Sequence, residues 1–423
     1  MMDILFFELI RVAIGTQESL SRVPTVQEWK KLYDMAKKQS LVGICFAALQ
    51  KLALRRDEND YENENRIQSN EPGAKPAEDH ALEPCEVMAK YWNMPEMLYL
   101  KWMGMAAKIQ QKNELMNAKT KEALAFFREK GFPCQVLKGQ GIAALYREAS
   151  PQPSPEEGGS LKSLPLGGDL EEASSLALLR QSGDIDVWLA GGKEKAFELS
   201  KQVLGHVEGV TNYHIHFPIM DDAEIELHFK PSFLSSPKRN RRFLEFCKMH
   251  EPKKGCSDEP SVAFNLIYIL LHCYRHLCGH GVGMRQVMDY YFVLLASDEG
   301  VPDAAASAET ERLLGSLHLE VLAGAVMYVL QTVMDLPDHL LLCAPRREEG
   351  MALLSEIMQA GNFGHYDTRA TTDDAGDDWR SQLHRYWRKT RRNIVIAMQY
   401  PHEGLWEPLF HLYQYWWRRG NDK

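Results

Sequence analysis

The chain has 423 residues, of which 45% are hydrophobic and 25% charged, so a wholly disordered, collagen-like or disulfide-scaffold protein is excluded. Lys and Arg total 49 against 58 Asp and Glu, a net charge of −9, which argues against a surface that coats nucleic acid. Eight cysteines without a CxxC pair are typical of reduced thiols inside cells, and no apolar stretch is long enough to span a membrane. We therefore expect a cytoplasmic protein that does not cross a membrane.

The first segment predicts a helical module followed by a linker. From Ile4 to about Leu54, apolar residues recur at three- and four-residue spacing, and Thr25 is a candidate N-cap. Residues 56–83 are polar, acidic and interrupted by prolines, so they bury too little apolar surface to offset their ordering entropy. We predict an N-terminal helical domain over residues 1–93 with a mobile linker at about 56–83.

The middle of the chain predicts a helix, a strand and a glycine-rich turn. An amphipathic helix from Met94 to Lys130 is followed by a short β-rich run, Cys134 to Leu137, which leads into Lys138-Gly139-Gln140-Gly141. Residues 149–179 are rich in Pro, Gly and Ser and have no clear period, which indicates an exposed insertion.

Further strands follow this insertion. Asp184 to Leu189 predicts a strand, and Tyr213 to Met220 with Glu224 to Phe229 predicts a hairpin. From about Phe243 onward almost every segment predicts helix. The expected fold is α+β, with a small mixed sheet in a core domain over residues 94–235 and a helical domain over residues 236–423.

Two of the predicted strands carry acidic residues at alternate positions. Because successive side chains of a strand point to opposite faces, Asp184 and Asp186 share one face. Glu224, Glu226 and His228 share a face of the second hairpin arm in the same way. If the two strands are neighbours, three or four carboxylates converge, and their repulsion favours a bound cation. Hard divalent ions such as Mg²⁺, which also bind substrate phosphates, are the usual solution.

The same residues carry a resemblance to a known superfamily. Gly183-Asp184-Ile185-Asp186-Val187, preceded by Leu137-Lys138-Gly139 and followed by Glu226-Leu227-His228, resembles the DNA polymerase β-type nucleotidyltransferases, and more closely their bacterial, largely uncharacterised branch. The resemblance covers residues 96–290 and implies that Asp184 and Asp186 are the metal ligands and Glu226 the third carboxylate. From the residues alone, Glu224 remains an alternative to Glu226.

The superfamily holds the triphosphate of its substrate in a glycine turn. By resemblance, the phosphate-binding residues here are Lys138, Gly139, Gln140 and Gly141, with Gly183 beside the carboxylates. The usual Gly-Ser is replaced in this turn, so backbone N–H groups and the lysine would hold phosphate. The resemblance implies an enzyme that uses Mg²⁺, with two ions and Mn²⁺ as a possible substitute. It would transfer a nucleoside monophosphate from an NTP to a hydroxyl acceptor, a small molecule or a protein, and release pyrophosphate.

Two alternatives stay open. The altered glycine turn would permit a catalytically inactive protein that keeps the fold and binds nucleotide or a protein partner. His272, His276 and His280 recur at one-face helical spacing near Cys273 and Cys278, which would suit the transition metal of a metallohydrolase.

Two further patterns are interpreted as structural. His214 and His216 alternate on the first hairpin arm and could face the carboxylates, but they are also ordinary strand residues. The basic run from Arg380 to Arg392 has helical spacing and is interpreted as a solvated helix face, because the rest of the chain is acidic.

Overall fold

A computed structural model describes residues 2–68, 82–146, 175–279, 281–299, 304–366, 398–410 and 413. Helices dominate these residues, and four short strands form one sheet, which confirms the predicted α+β class. The helices are α1 Met2–Ile14, α2 Val26–Lys38, α3 Val42–Gln68, α4 Pro84–Trp92, α5 Glu96–Glu129, α6 Lys138–Ala143, α7 Ser175–Leu179, α8 Gly192–Leu204, α9 Pro237–Met249, α10 Val262–Gly279, α11 Met284–Glu299, α12 Ala304–Leu317, α13 Glu320–Met334, α14 Arg347–Ala360 and α15 Pro401–Gly404. The strands are β1 Cys134–Val136, β2 Ile185–Leu189, β3 His214–His216 and β4 Ile225–His228.

The chain divides into two compact units. The first comprises Met1–Glu114, Tyr146–Gln181 and Val333–Asp335, and the second comprises Leu115–Leu145, Ser182–Thr332 and Leu336–Lys423. The division into three domains drawn from the sequence stays a prediction.

The first unit is a helical module held by buried aromatic residues. Thr25 caps α2 as predicted, in a capping box with Glu28. Trp29 donates its indole N–H to the carbonyl of Trp92 at 2.7 Å, so the buried ring has a partner for its one polar atom. At Gly43 an added Cβ would lie 2.2 Å from the carbonyl oxygen of Leu179, so only glycine lets α3 and α7 approach this closely.

The predicted linker is described in part, whereas most of the predicted insertion lies outside the described residues. Helix α3 continues to Gln68, so its last part lies in the range that was predicted to be a mobile linker. Residues 69–81 and 147–174 lie outside the described part of the chain. At the end of the predicted insertion, Ser175–Leu179 forms α7.

The second unit contains the sheet, whose strand order is β1-β2-β4-β3. Strand β2 runs parallel to β4 and antiparallel to β1, and β3 pairs antiparallel with β4, which confirms the predicted hairpin. One face of the sheet packs against α5 and α8 through apolar side chains. Ile185, Val187, Ile225 and Leu227 lie in this core. Burial of each of these side chains stabilises the folded state by about 2 kcal/mol. The alternation of apolar and polar residues therefore determines which face of the sheet packs away from water.

The opposite face carries the polar side chains of the same strands. Trp188 of β2 stacks on Phe264 of α10 with ring centroids 5.2 Å apart, so α10 lies over this face. The acidic positions that were predicted to share a face therefore lie on the face of β2 and β4 over which α10 packs. Among the described helices, none by itself is long and apolar enough to cross a membrane, and Ala308–Leu317 with Glu320–Met334 passes that test only as a pair bent by 117°.

A carboxylate and histidine cluster as the candidate active site

Strand register brings the predicted carboxylates together. In the parallel pairing of β2 with β4, Asp186 lies directly opposite Glu226, and Asp184 immediately precedes β2. Carboxylate oxygens of Asp184, Asp186 and Glu226 all lie within 4.8 Å of one another. The neighbour relationship that the sequence pattern required therefore exists, and three carboxylates converge.

The two glutamates that the sequence left open have different positions. The side chain of Glu224 is 70% exposed, and its Oε1 lies 3.7 Å from Nε2 of His216, outside the carboxylate group. The side chain of Glu226 is only 23% exposed and lies beside Asp184 and Asp186. The geometry thus groups Glu226, rather than Glu224, with the aspartate pair.

The turn after β1 delivers a cation to this group. Lys138 and Gly139 both have positive φ, +31° and +30°, and the helix continues from there as α6. This turn brings Nζ of Lys138 to 2.8 Å from Oδ1 of Asp186, whose side chain is almost fully buried. Lys138 was predicted to bind phosphate. In the described structure it is instead paired with Asp186, a carboxylate of the same site.

The remaining predicted phosphate-binding residues differ in their surroundings. Gln140 donates its side-chain amide to Asn117, while its buried Oε1 has no hydrogen-bond partner among the described residues. A Cβ at Gly141 would lie 2.4 Å from the carbonyl oxygen of Val136, so this glycine is needed for α6 to pack against β1. Gly183 has open space around it.

Two histidines that sequence reasoning did not select belong to the same cluster. Nε2 of His228 lies 2.8 Å from Oδ1 of Asp186 and 3.3 Å from Oε2 of Glu226. Nδ1 of His214 lies 3.0 Å from the same glutamate oxygen. The signal for His228 was available, because it shares strand parity with Glu224 and Glu226, whereas His214 needed the register of β3 against β4.

Charge within the cluster is partly compensated by the chain itself. The charge of Asp186, helped by burial, raises the pKa of Asp184. Burial opposes ionisation of Glu226, but the contacts with His214 and His228 outweigh it and lower the pKa of Glu226. Burial likewise disfavours charge on Lys138 and His228, yet the neighbouring carboxylates prevail and raise the pKa of each.

Repulsion between the two aspartates remains, and a divalent cation would relieve it. Three convergent carboxylates thus fit a hard ion such as Mg²⁺.

One family matches most of this chain. The family described as uncharacterised nucleotidyltransferase matches residues 25–151 and 171–332, well over half of the sequence. The chain belongs to this family. Neither curated proteins nor solved structures provide a match. Membership supports nucleotidyl transfer as the general chemistry.

The family match extends beyond the region expected from the motifs. It begins at residue 25 rather than near residue 96, so it includes helices of the first unit as well as the sheet. All candidate carboxylates and glycine-turn residues lie within it. The unmatched stretch between its two parts falls inside the range predicted to be an insertion.

Tyr213 and Arg275 lie beside the histidines of the cluster. The ring of Tyr213 packs against His214 and His228, with centroids 4.4 and 5.3 Å apart. The guanidinium of Arg275 lies 5.5 Å from the ring centroid of Tyr213 and 3.2 Å from that of Phe233. Its Nη1 is buried and has no hydrogen-bond partner among the described residues. The ring of Tyr213 thus contacts both the histidines and the guanidinium of Arg275, whose Nη1 donor has no acceptor among the described residues.

Two of the three histidines at one-face spacing, His272 and His276, lie in α10 and contact each other. Nε2 of His272 lies 3.0 Å from Nε2 of His276, and burial together with the neighbouring His276 lowers the pKa of His272 well below its usual value. Among the described residues, neither histidine belongs to a group of three candidate metal ligands. His280 and the basic run from Arg380 to Arg392 lie outside the described part of the chain.

Proposed function

We propose that this protein is a Mg²⁺-dependent nucleotidyltransferase of the DNA polymerase β type, which transfers a nucleoside monophosphate from an NTP to a hydroxyl acceptor. The observation that carries the proposal is the convergence of Asp184, Asp186 and Glu226 on adjacent parallel strands. Family membership supports the general chemistry. The acceptor is a small molecule or a protein.

In this reaction the acceptor oxygen bonds to the α-phosphorus while the bond from that phosphorus to pyrophosphate breaks. Mg²⁺ held by Asp184, Asp186 and Glu226 would neutralise the triphosphate and the leaving pyrophosphate. The acceptor proton needs a base that the substrate can reach. Asp184 and Glu226 are partly exposed, whereas Asp186 is 2% exposed, so the first two are the candidate proton acceptors.

Two cations of the chain assist this site in the proposal. Lys138 neutralises Asp186 before substrate binds, and rotation of its flexible side chain would bring the ammonium to a phosphate. Arg275, whose Nη1 lacks a partner, supplies a donor for an anionic group of the substrate.

A second candidate function is nucleotide binding without turnover. The specific observation in its favour is that Lys138 and His228 both contact Oδ1 of Asp186 at 2.8 Å. The lysine ammonium and an imidazole thus already contact the carboxylate that would have to bind the catalytic ion. A protein that had lost catalysis could keep its fold, because Lys138 and His228 would take the place of the metal ion beside Asp186.

The test is calorimetric titration of NTPs in the presence and absence of Mg²⁺, with pyrophosphate release recorded against candidate acceptors. We expect Mg²⁺-dependent binding to the wild type and its loss in Asp184→Asn. Glu224→Gln is the matched control, because it removes a charge from the same face outside the carboxylate group. Equal binding by Asp184→Asn would refute the site, and binding without release across the acceptors would favour the non-catalytic function.

A further inference from the structure

We propose that His214, Glu226 and His228 form a second site, for a transition-metal dication of the zinc class, which shares Glu226 with the carboxylate group. One nitrogen of each histidine and one oxygen of Glu226 lie within 4.8 Å of one another. Imidazole favours transition metals such as Zn²⁺ and Co²⁺, whereas Mg²⁺ prefers oxygen ligands. The inference does not require nucleotide transfer, although one of the three side chains, Glu226, is shared with the proposed Mg²⁺ site.

The distances within the group match those that a single ion would impose. Oε2 of Glu226 lies 3.0 Å from Nδ1 of His214 and 3.3 Å from Nε2 of His228. Around a tetrahedral ion with bonds of about 2.0 Å, neighbouring ligand atoms are about 3.3 Å apart. Little rearrangement of either contact is therefore needed for the ion to enter.

Backbone structure holds both histidines in place. They are direct partners in the antiparallel pairing of β3 with β4, and their ring centroids are 5.1 Å apart. Thr211 accepts the backbone N–H of His214 on its hydroxyl and donates its own backbone N–H to the carbonyl of His214. Both histidines are buried residues, with side chains 11% exposed for His214 and 1% for His228, so few other orientations are open to them.

The second ring nitrogen of His228 has the environment typical of a metal ligand. Its Nδ1 lies 3.4 Å from the backbone carbonyl oxygen of Lys230. Histidine ligands commonly donate the N–H of the non-coordinating nitrogen to such a carbonyl, which fixes the tautomer and directs the other nitrogen to the ion. Nε2 of His228 is then directed at Asp186 Oδ1 and Glu226 Oε2, 2.8 and 3.3 Å away, so an ion bound between His228 and Glu226 would displace the contact with Asp186.

Two imidazoles and one carboxylate leave a coordination position for water or substrate, as in catalytic zinc sites. Glu226 belongs to both this group and the carboxylate group. Loading of the histidine site would therefore change how Glu226 is shared with Asp184 and Asp186. Histidine-site occupancy and Mg²⁺ binding should for this reason be coupled.

The experiment titrates the full chain with Co²⁺, followed by its visible absorption, and measures Zn²⁺ by equilibrium dialysis and elemental analysis. We expect one equivalent of each ion in the wild type and an affinity more than tenfold weaker in His214→Ala. His216→Ala is the matched control, because His216 is two residues along the same strand and outside the ligand group. Asp184→Asn should keep the Zn²⁺ while losing Mg²⁺-dependent nucleotide binding, which separates this inference from the proposed function.

A wild type that binds no Co²⁺ or Zn²⁺ would overturn the inference, as would equal affinity in His214→Ala or equal loss in His216→Ala. Near-ultraviolet circular dichroism checks that each variant is folded. If His214→Ala does not fold, proton NMR of the wild type loaded with Co²⁺ tests whether the two histidines bind the ion. Hyperfine-shifted exchangeable signals from two imidazoles support the site, and their absence, or an intense thiolate charge-transfer band, contradicts it.

Discussion

Nζ of Lys138 lies 2.8 Å from Oδ1 of Asp186, so a cation of the chain already pairs with a carboxylate that we propose binds Mg²⁺. The two residues come from the turn after β1 and from β2, and the side chain of Asp186 is almost fully buried. Lysine and a divalent ion therefore compete for one oxygen. This competition determines how the site should respond when Lys138 is removed.

Lys138→Met should strengthen the binding of Mg²⁺ alone and weaken the binding of NTP. Loss of the ammonium makes the carboxylate group more negative, which favours a dication, but it also removes a contact for the triphosphate. We expect each affinity to change at least about tenfold, measured by calorimetry with Mg²⁺ or by Mn²⁺ electron paramagnetic resonance. Lys119→Met, which removes a lysine that pairs with Glu122 elsewhere in the unit, should change neither. Weaker Mg²⁺ binding by Lys138→Met would show that the lysine does not compete.

Gly141→Ala should destabilise the protein, whereas Gly183→Ala should not. The added Cβ at position 141 would lie 2.4 Å from the backbone oxygen of Val136, while nothing lies within 4 Å at position 183. Overpacking of this kind costs about 1–3 kcal/mol, so the melting temperature of Gly141→Ala should fall by several degrees. Equal melting temperatures for the two variants would contradict the packing of α6 against β1. With Gly183→Ala folded, its NTP affinity tests the phosphate-binding role implied for Gly183.

Arg275→Met should weaken nucleotide binding without reducing stability. The guanidinium has a buried, unpartnered Nη1, and burial lowers the pKa of Arg275, so the charge is costly in the free protein. A charge-assisted hydrogen bond to substrate is worth about 1.5–3 kcal/mol, which corresponds to at least a tenfold loss of NTP affinity. Arg242→Met is the control, because Arg242 already donates to the carbonyl of Ser316. A lower melting temperature with unchanged affinity would assign Arg275 a structural role.

Tyr99 should make the first unit sensitive to high pH. Burial, helped by the nearby Cys85, raises the pKa of Tyr99 to about 12 from 10.0. Because the folded state favours the neutral phenol, its stabilisation is complete below the unfolded pKa and is lost as pH rises from about 10 to about 12. Relative to Tyr99→Phe, the wild type should lose about 1 kcal/mol of unfolding free energy between about pH 9 and pH 11.

Chemical denaturation at the two pH values measures this difference. A difference between wild type and Tyr99→Phe that stays constant with pH would contradict the burial argument.

The α+β class, the strands and the polar face of the sheet could be predicted from local pattern alone. Alternation in Asp184-Ile185-Asp186-Val187 and in the segment from Glu224 to Phe229 determines which side chains share a face, because strand side chains alternate whatever the strand pairs with. The structure places Ile185, Val187 and Leu227 in the core accordingly. The motifs around Asp184 and Asp186 were also sufficient to indicate a nucleotidyltransferase family.

Only the tertiary structure decided which of these residues meet. Glu224 and Glu226 have the same parity, and the parallel register of β2 with β4 selects Glu226 by placing it opposite Asp186. The contacts of Lys138 with Asp186 and of His214 with Glu226 join segments that are distant in sequence. Period and propensity describe each segment separately, whereas the ligand groups depend on strand order and register, which are set by packing of the whole sheet against its helices.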